Sequence, residues 1–222
     1  MRHLTLTWDD GFRASSVTTA GIFERFGLRT EFNVLAAPNP DAGMGDFGLW
    51  NELQARGHTI QPHGYNHTNK ASIPLAEAQE LIRRCLGLFE DNLNGFVSRD
   101  AIFNFPYNAS TPELEAWLPT VVRAFRTGPG PALNPLPGPD TIKLTTCGWE
   151  AAEEWLDICL SELLAAHNGW LIYNAHGLNG EGWGPMRSVY LERLLEKLVQ
   201  RDDLTLLPAR SVLDAFSGVS KR

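Results

Sequence analysis

The stretch Thr7-Trp8-Asp9-Asp10-Gly11 ends an alternating run of apolar and polar residues, 4–8, that is typical of a β-strand. Two adjacent carboxylates therefore stand where a strand ends and a glycine turns the chain. Such neighbours repel each other unless a positive charge lies beside them, and a bound metal cation is a common solution. The pentapeptide alone fits a solvated Asp-Asp-Gly turn equally well, because these residues are common in turns. Residues further along the chain are needed to distinguish such a turn from a metal site.

Outward from this stretch, segments with strand and helix patterns alternate along the 222 residues. The predicted strands are 4–8, 30–35, 58–61, 101–105, 121–126, 141–146, 170–175 and 204–207, and the predicted helices are 15–26, 49–56, 75–93, 112–118, 149–166, 187–200 and a terminal one. Repeated units of this kind imply parallel strands joined by crossover helices, in a barrel or an open sheet. The number of units, roughly seven or eight, favours an α/β barrel.

Polar residues follow several of these strands at the end where a barrel collects its reactive groups. Asp9 and Asp10 follow the first strand, His63 and His67 follow the third, and His176 follows the strand that begins at 170. The segment 105–108 follows the fourth strand in the same way. We therefore expect four loops to meet at one barrel mouth.

His63 and His67 are four residues apart, so a helical turn would place both imidazoles on one face, within reach of one metal ion. The spacing alone is weak, since two polar loop residues would look the same. Asp10 would complete a set of two imidazoles and one carboxylate, which is typical of catalytic divalent sites with open positions for water. His58 opens its strand at the opposite end, and we interpret it as structural.

Composition limits the classes of protein and partner. The chain is 43% hydrophobic, enough for one sizeable core, and we expect a single domain over residues 1–222. A net charge of -7 leaves no basic surface, so nucleic acid and anionic membranes are not expected as partners, and a small or neutral ligand is favoured. Cys85, Cys147 and Cys159 lack C-x-x-C spacing, which favours reduced, buried thiols.

The N-terminal residues enter a strand directly, and no apolar run reaches the length of a membrane span. If Met1 is the true start, these features predict a cytoplasmic protein with no membrane span. Oligomeric state is not indicated by the sequence.

With these motifs in order, the chain resembles the polysaccharide deacetylase family, carbohydrate esterase family four. Residues 7–11 match the motif T-F-D-D-G with Trp8 for Phe, and residues 63–67 match H-S-x-x-H with Gly64 for Ser. Residues 103–108, F-N-F-P-Y-N, lie where the family has F-R-P-P-Y-G, and Ala175-His176-Gly177 lies at the final L-x-H motif. The resemblance extends over nearly the whole chain.

The resemblance implies a distorted (β/α)7 barrel of the polysaccharide deacetylase type. It also implies metal-dependent removal of an N-acetyl group from an amino sugar, in a polymer, an oligomer or a precursor. One divalent ion, zinc first and cobalt, nickel or manganese as alternatives, would be held by Asp10, His63 and His67. Such an ion lowers the pKa of water and polarises an amide carbonyl.

The same resemblance assigns roles to individual residues. Asp9 would act as general base, the backbone N–H of Tyr107 would meet the oxyanion, and His176 would give a proton to the departing amine. Trp149 would wall the acetyl pocket, although a core aromatic at a helix start is an equal alternative. Trp183, in the loop 178–186, could cover the sugar or another ligand, or belong to an ordinary glycine-rich loop.

Two positions depart from the family pattern. Asn104 stands where the family has the arginine that braces the catalytic base, and Cys147 and Gly148 stand where acidic residues would orient the histidine. We therefore expect another arginine to brace Asp9. The candidates are Arg13, Arg99 and Arg187, with Arg187 favoured. Asn104 is also a candidate substrate contact.

Three functions remain open from the sequence. The first is deacetylation of an N-acetylated sugar. The second is metal-dependent hydrolysis of a non-sugar amide or cyclic ureide. The third is a sugar-binding protein that retains the metal but has little turnover.

Overall fold

The computed structural model describes residues 1–38, 42–128, 133–148 and 150–217. The strands are β1 (Arg2–Asp10), β2 (Glu31–Val34), β3 (Thr59–Pro62), β4 (Ile102–Asn104), β5 (Ala124–Thr127), β6 (Lys143–Thr145), β7 (Gly169–Ala175) and β8 (Leu204–Leu206). The helices are α1 (Arg13–Arg25), α2 (Phe47–Ala55), α3 (Leu75–Asn92), α4 (Pro112–Trp117), α5 (Ala152–Ala165), α6 (Ser188–Leu198) and α7 (Ala209–Phe216). Each predicted strand and helix is confirmed, with ends that differ by a few residues.

The strands form two parallel sheets, as the alternation of strands and helices predicts. The larger sheet has the order β3-β2-β1-β7, and the smaller has the order β4-β5-β6. β1 lies at the centre of the larger sheet. It pairs with β7 along residues 2–8, with β8 at its first residues and with β2 at its last four, 7–10. The end of β1 that carries the two aspartates is therefore held on both sides.

The two sheets meet at two seams. On one side Cys147 forms a parallel bridge to Tyr173 of β7, with its N–H donating to Ile172 O at 3.0 Å. On the other side, between β3 and β4, the side chain of Gln61 accepts a hydrogen bond from Ile102 N at 2.9 Å, and no strand ladder joins the two strands among the described residues. The fold is thus the distorted barrel that was predicted.

Alternation along β1 separates two kinds of buried side chain. Trp8 belongs to the large apolar core together with Phe32 and Trp50. Thr7 and Asp9, on the other face, point into the barrel, where they meet polar side chains from neighbouring strands. These buried polar residues include Glu31, Asn33, Gln61, Asn104 and Arg126. The barrel interior therefore carries a polar layer beneath the mouth.

The three cysteines are free thiols, as predicted, and Cys85 and Cys159 are buried. In the described ranges, no helix combines the length and the apolar character needed to cross a bilayer.

Candidate metal and active site

The end of β1 is shaped by an unusual pair of backbone conformations. Asp10 has φ 73° and Gly11 has φ 89°, both in the left-handed region. A Cβ at Gly11 would lie 2.9 Å from a ring carbon of Trp50 and 3.2 Å from Val34, so only glycine fits there. This turn sends the two neighbouring carboxylates in different directions, Asp9 into the barrel and Asp10 toward the loop that follows β3.

Asp10, His63 and His67 come together as predicted. The Asp10 Oδ1 atom lies 3.4 Å from His63 Nε2 and 3.1 Å from His67 Nε2, and the three candidate ligand atoms all lie within 4.8 Å of one another. Burial alone would raise the pKa of Asp10, but the two imidazoles hold it well below its ordinary value. The site therefore stabilises the ionised carboxylate that a cation requires.

Two further observations show that these residues fit a divalent cation. His63 Nδ1 lies 3.1 Å from the carbonyl oxygen of Asn104, so Nδ1 carries a proton, and Nε2 is the nitrogen that faces Asp10 and can bind an ion once it is unprotonated. Asp10 Oδ1 is buried and has no well-aligned hydrogen bond to any residue that the structure describes. A buried carboxylate oxygen without a donor, opposite two imidazole nitrogens, is the donor set that zinc and related ions prefer.

Asp9 is held by a different set of partners. The two terminal nitrogens of Arg126 donate to its two carboxylate oxygens at 3.0 and 2.5 Å, and Asn33 Nδ2 donates to Oδ1 at 2.8 Å. Burial would raise the pKa of Asp9, but Arg126 and the nearby His63 lower it to about 2. The carboxylate is therefore ionised, fixed in orientation and 2% exposed.

The expected bracing arginine is thus present, but the three candidates for it are wrong. Arg187 pairs with Glu153, Arg13 pairs with Asp46, and Arg99 donates to a backbone carbonyl of the loop after α4. Each of these three guanidinium groups has its partner at the protein surface and none contacts Asp9. Asn104 has an indirect role, since its Nδ2 donates to Asn33 Oδ1 at 2.9 Å and so orients the amide that holds Asp9.

These groups face one cavity of about 540 Å³ at the carboxyl ends of the strands. It is lined by Asp9, Asp10, His63, His67, Phe105, Tyr107, Asn108, Gly148, Asn174, His176 and Trp183. Strained backbone is concentrated here. Five described residues other than glycine have positive φ, and four of them, Asp10, His67, Tyr107 and Asn108, line this cavity. Strain that clusters at one cavity is typical of a functional site.

His176 and Trp183 form another part of the cavity wall. Their rings make an edge-to-face contact with centroids 5.1 Å apart. Burial lowers the pKa of His176, and the opposing effect of Asp9 and Asp10 does not restore it. The imidazole is therefore less readily protonated in the free protein than an ordinary histidine side chain.

The loop that carries Trp183 is anchored to the helix that follows the two aspartates. Glu181 Oε2 accepts hydrogen bonds from Ser15 N at 2.7 Å and from Ser15 Oγ at 2.5 Å. The N–H of Leu178 donates to the same hydroxyl at 2.8 Å. The loop 178–186 is therefore tied to the first turn of α1, and its Trp183 lines the cavity.

Tyr107, Trp149 and His58 complete the set of residues that the sequence singled out. Tyr107 lies in a 3-10 turn, Pro106–Asn108, with its ring centroid 4.7 Å from that of His67. Trp149 lies outside the described residues. His58 hydrogen-bonds Glu24 and the N–H of Thr30, away from the cavity, which agrees with a structural role.

Sequence reasoning missed Arg126, Asn33 and Asn174 as parts of the site. A signal existed for Arg126, because it stands at the carboxyl end of the predicted strand 121–126, where a barrel collects functional groups. No motif distinguished Asn33 or Asn174 from ordinary strand residues.

Comparison with known families agrees with the geometry. The family model described as Polysaccharide deacetylase matches residues 1–117, more than half of the chain. The chain therefore belongs to the polysaccharide deacetylase family.

Solved structures share the fold at low identity. A candidate polysaccharide deacetylase from Mycobacterium smegmatis superposes with a TM-score of 0.73 at 13% identity, covering 99% of this chain and 93% of that one. A family 4 acetyl xylan esterase from Clostridium thermocellum, solved with a cobalt ion, gives 0.67 at 14% identity, covering 96% and 91%. A peptidoglycan N-acetylglucosamine deacetylase gives 0.68 at 13% identity, covering 96% and 88%. A search of curated protein sequences gives no match.

Proposed function

We propose that residues 1–222 form one catalytic domain that removes an N-acetyl group from an amino sugar with the help of a divalent metal ion. Family membership carries the coarse activity, hydrolysis of acetyl groups on carbohydrates. One structural observation supports the metal dependence and the identity of the catalytic base. A buried, arginine-held carboxylate, Asp9, lies beside the Asp10, His63 and His67 group in the same cavity.

Each residue has a task that its surroundings support. Asp9 is ionised and fixed by Arg126, so it can accept a proton from the attacking water. His176, which lines the same cavity, is the proposed acid: in its protonated form it gives a proton to the nitrogen as the C–N bond breaks. An amine cannot leave as an anion, so this donor is needed more for an amide than for an ester. The backbone N–H of Tyr107 is the proposed donor to the oxyanion.

Zinc is the proposed ion, because two imidazoles and one carboxylate with open positions are its usual catalytic donor set, and cobalt, nickel or manganese can bind the same ligands. When bound, the ion supplies Lewis acidity and a water of lowered pKa. Trp183 and Trp149 remain the proposed substrate contacts, whereas Asn104, which was also predicted as one, does not line the cavity and acts through Asn33.

The test has a metal arm and an activity arm. Asp10→Ala, His63→Ala and His67→Ala should each lose most of the bound metal in elemental analysis. His167→Ala is the matched control, since this histidine is exposed and far from the cavity lining. Full metal content in all three variants would show that the ligands are misassigned.

The activity arm measures acetate release from N-acetylglucosamine oligomers with defined zinc, cobalt, nickel or manganese. Asp9→Asn should keep the metal and lose roughly a hundredfold or more in kcat, because removing a general base costs about that much. Release of product from simple amides or cyclic ureides, but not from sugars, would support the non-sugar hydrolase instead. Sugar binding without any release would support the binding protein.

A further inference from the structure

Asn174 is a polar side chain on the inner wall of the cavity. It lies in β7, two residues before His176, and is 4% exposed. The matching position in the family motif L-x-H is leucine. Neither the metal group nor the base requires an amide here, so this chain has placed a hydrogen-bonding group where its family has an apolar one.

The Asn174 amide is held in place by two neighbours. Thr146 Oγ1 donates to its Oδ1 at 3.0 Å. Gly148 packs against the same amide so closely that an added Cβ would lie 2.6 Å from Oδ1 and 2.4 Å from the Asn174 carbonyl oxygen. Asn174 Nδ2 donates to no residue in the described part of the chain. A hydroxyl can donate or accept, so a flipped amide would equally leave one polar atom for a ligand.

The two ends of the cavity differ in exposure. Tyr107 and Trp183, at the open end, are 65% and 47% exposed. Phe105 and Asn174, at the inner end, are 0% and 4% exposed. A substrate that is large on the nitrogen side and small on the acyl side must place its acyl group inward. The acyl substituent would therefore contact Phe105 on one side and the Asn174 amide on the other.

We propose that Asn174 makes the acyl site selective for a group that carries a hydrogen-bonding atom on the carbon next to the carbonyl, as in an N-glycolyl amino sugar. This inference rests on the proposed function. A polar side chain that stays unmatched beside an apolar substituent loses its hydrogen bonds with water and gains none, which makes acetyl and propionyl groups poorer substrates than a glycolyl group without excluding the proposed deacetylation. The reaction remains a hydrolysis, in which water adds to the acyl carbon, the C–N bond breaks, the nitrogen takes a proton, and glycolate and the free amine leave.

A binding measurement tests the preference without turnover. Glycolohydroxamic acid and propionohydroxamic acid have equal size and differ by a hydroxyl in place of a methyl group. Calorimetry with the zinc-loaded protein should show roughly tenfold tighter binding of the glycolyl compound, the size of one well-matched hydrogen bond. Asn174→Leu should remove or reverse that ratio. Equal binding in the parent protein, binding of neither compound, or an unchanged ratio in the variant would overturn the proposal.

Turnover supplies the second readout. The ratio of kcat/KM for N-glycolylglucosamine and N-propionylglucosamine should favour the glycolyl compound in the parent protein and fall in Asn174→Leu. Trp183→Ala, at the open end, should lower both values by the same factor and leave the ratio unchanged. A hydroxamate preference without hydrolysis of any N-acyl sugar would support the acyl selectivity and overturn the proposed function. Hydrolysis of both sugars with a kcat/KM ratio near one would support the proposed function and overturn the acyl selectivity.

Discussion

The two sheets contribute to the site in different ways. The sheet that contains β1 to β3 supplies Asp10 and the two histidines, each from a contiguous motif. The sheet that contains β4 to β6 supplies the bracing arginine from a position that no motif marks. Asn104 of β4 and Arg126 of β5 are Cα partners in the strand register, so the arginine stands one strand over from the family position, at the same level of the barrel.

This difference follows from how strictly each task depends on geometry. Metal ligands must approach one point within a few tenths of an ångström, so their backbone positions have little freedom. An arginine reaches its partner through a long side chain and a flat two-pronged head, and can start from either of two neighbouring strands. The bracing arginine can therefore come from a neighbouring strand, while the positions of the metal ligands in the sequence motifs stay the same.

The largest expected effect comes from removing Arg126. Arg126→Asn would leave Asp9 buried without its charge partner, which commonly costs about 3 to 5 kcal/mol of stability. We expect kcat/KM to fall by roughly a hundredfold or more, since the base is then poorly oriented and less ionised. Metal content should stay near that of the parent. Unfolding curves, elemental analysis and acetate release measure the three outcomes.

The reciprocal variant tests whether it matters which of the two strands carries the arginine. Asn104→Arg combined with Arg126→Asn returns the arginine to the family position. Positions 104 and 126 are partners in the strand register, so an arginine at either one starts at the same height along the barrel. If that height is sufficient, kcat/KM of the double variant should be at least about tenfold higher than that of Arg126→Asn, because the ion pair can form again. Asn104→Arg alone adds a second buried cation and should destabilise the protein. Full activity in Arg126→Asn would show that Asp9 needs no brace.

The same contrast explains what the sequence could predict. The order of strands and helices, the barrel type and the Asp10, His63 and His67 group were accessible, because periodicity and motif spacing are local features. The identity of the brace was not, since it depends on which strands neighbour each other and on their register. Arg187, the favoured candidate, is close to the His176 loop in sequence, but Glu153 of α5 holds it at the surface. Competing partners of this kind cannot be read from spacing.

A second prediction concerns Glu31, the other buried carboxylate near Arg126. Burial raises the pKa of Glu31 to about 7, and the charge of Arg126 and the backbone N–H of Arg210 offset only part of this effect. Arg126 therefore stabilises the ionised form of Asp9 more strongly than that of Glu31. The folded protein keeps the Glu31 proton up to about pH 7, while the unfolded chain releases it near 4.5, so stability should fall as pH rises through that window.

Glu31→Gln isolates this effect because the amide stays neutral at every pH. The two proteins should have similar stability near pH 4, and the variant should be more stable above pH 7 by up to about 3 kcal/mol, the equivalent of the pKa shift. Urea unfolding at several pH values gives the difference, in which contributions from other groups cancel. A difference that does not change with pH would show that Glu31 is ionised in the folded protein and has a charge partner.

The smallest expected effect concerns the contact between the loop 178–186 and helix α1, which joins the His176 loop to the aspartate motif. Helix α1 has Phe12 as its N-cap residue, with no side-chain cap and no acidic residue in the first turn, and Glu181 supplies the missing acceptor from the loop after β7. Glu181→Gln keeps the shape but removes the charge that favours a helix N-terminus, at a cost of about 1 kcal/mol. Since this loop carries Trp183, we expect kcat/KM to fall by roughly tenfold, mainly through KM, with metal content unchanged.

A double-mutant cycle distinguishes this anchor from general destabilisation. Ser15→Ala removes the hydroxyl that links Glu181 to the N–H of Leu178, so the two single changes break the same contact and their effects on KM should not add. Glu77→Gln removes an exposed acidic residue from the first turn of α3, away from the cavity, and should leave KM unchanged. Additive effects of Glu181→Gln and Ser15→Ala, or an equal effect of Glu77→Gln, would mean that this contact does not position Trp183. The aspartate motif and the His176 loop would then act as independent halves of the site.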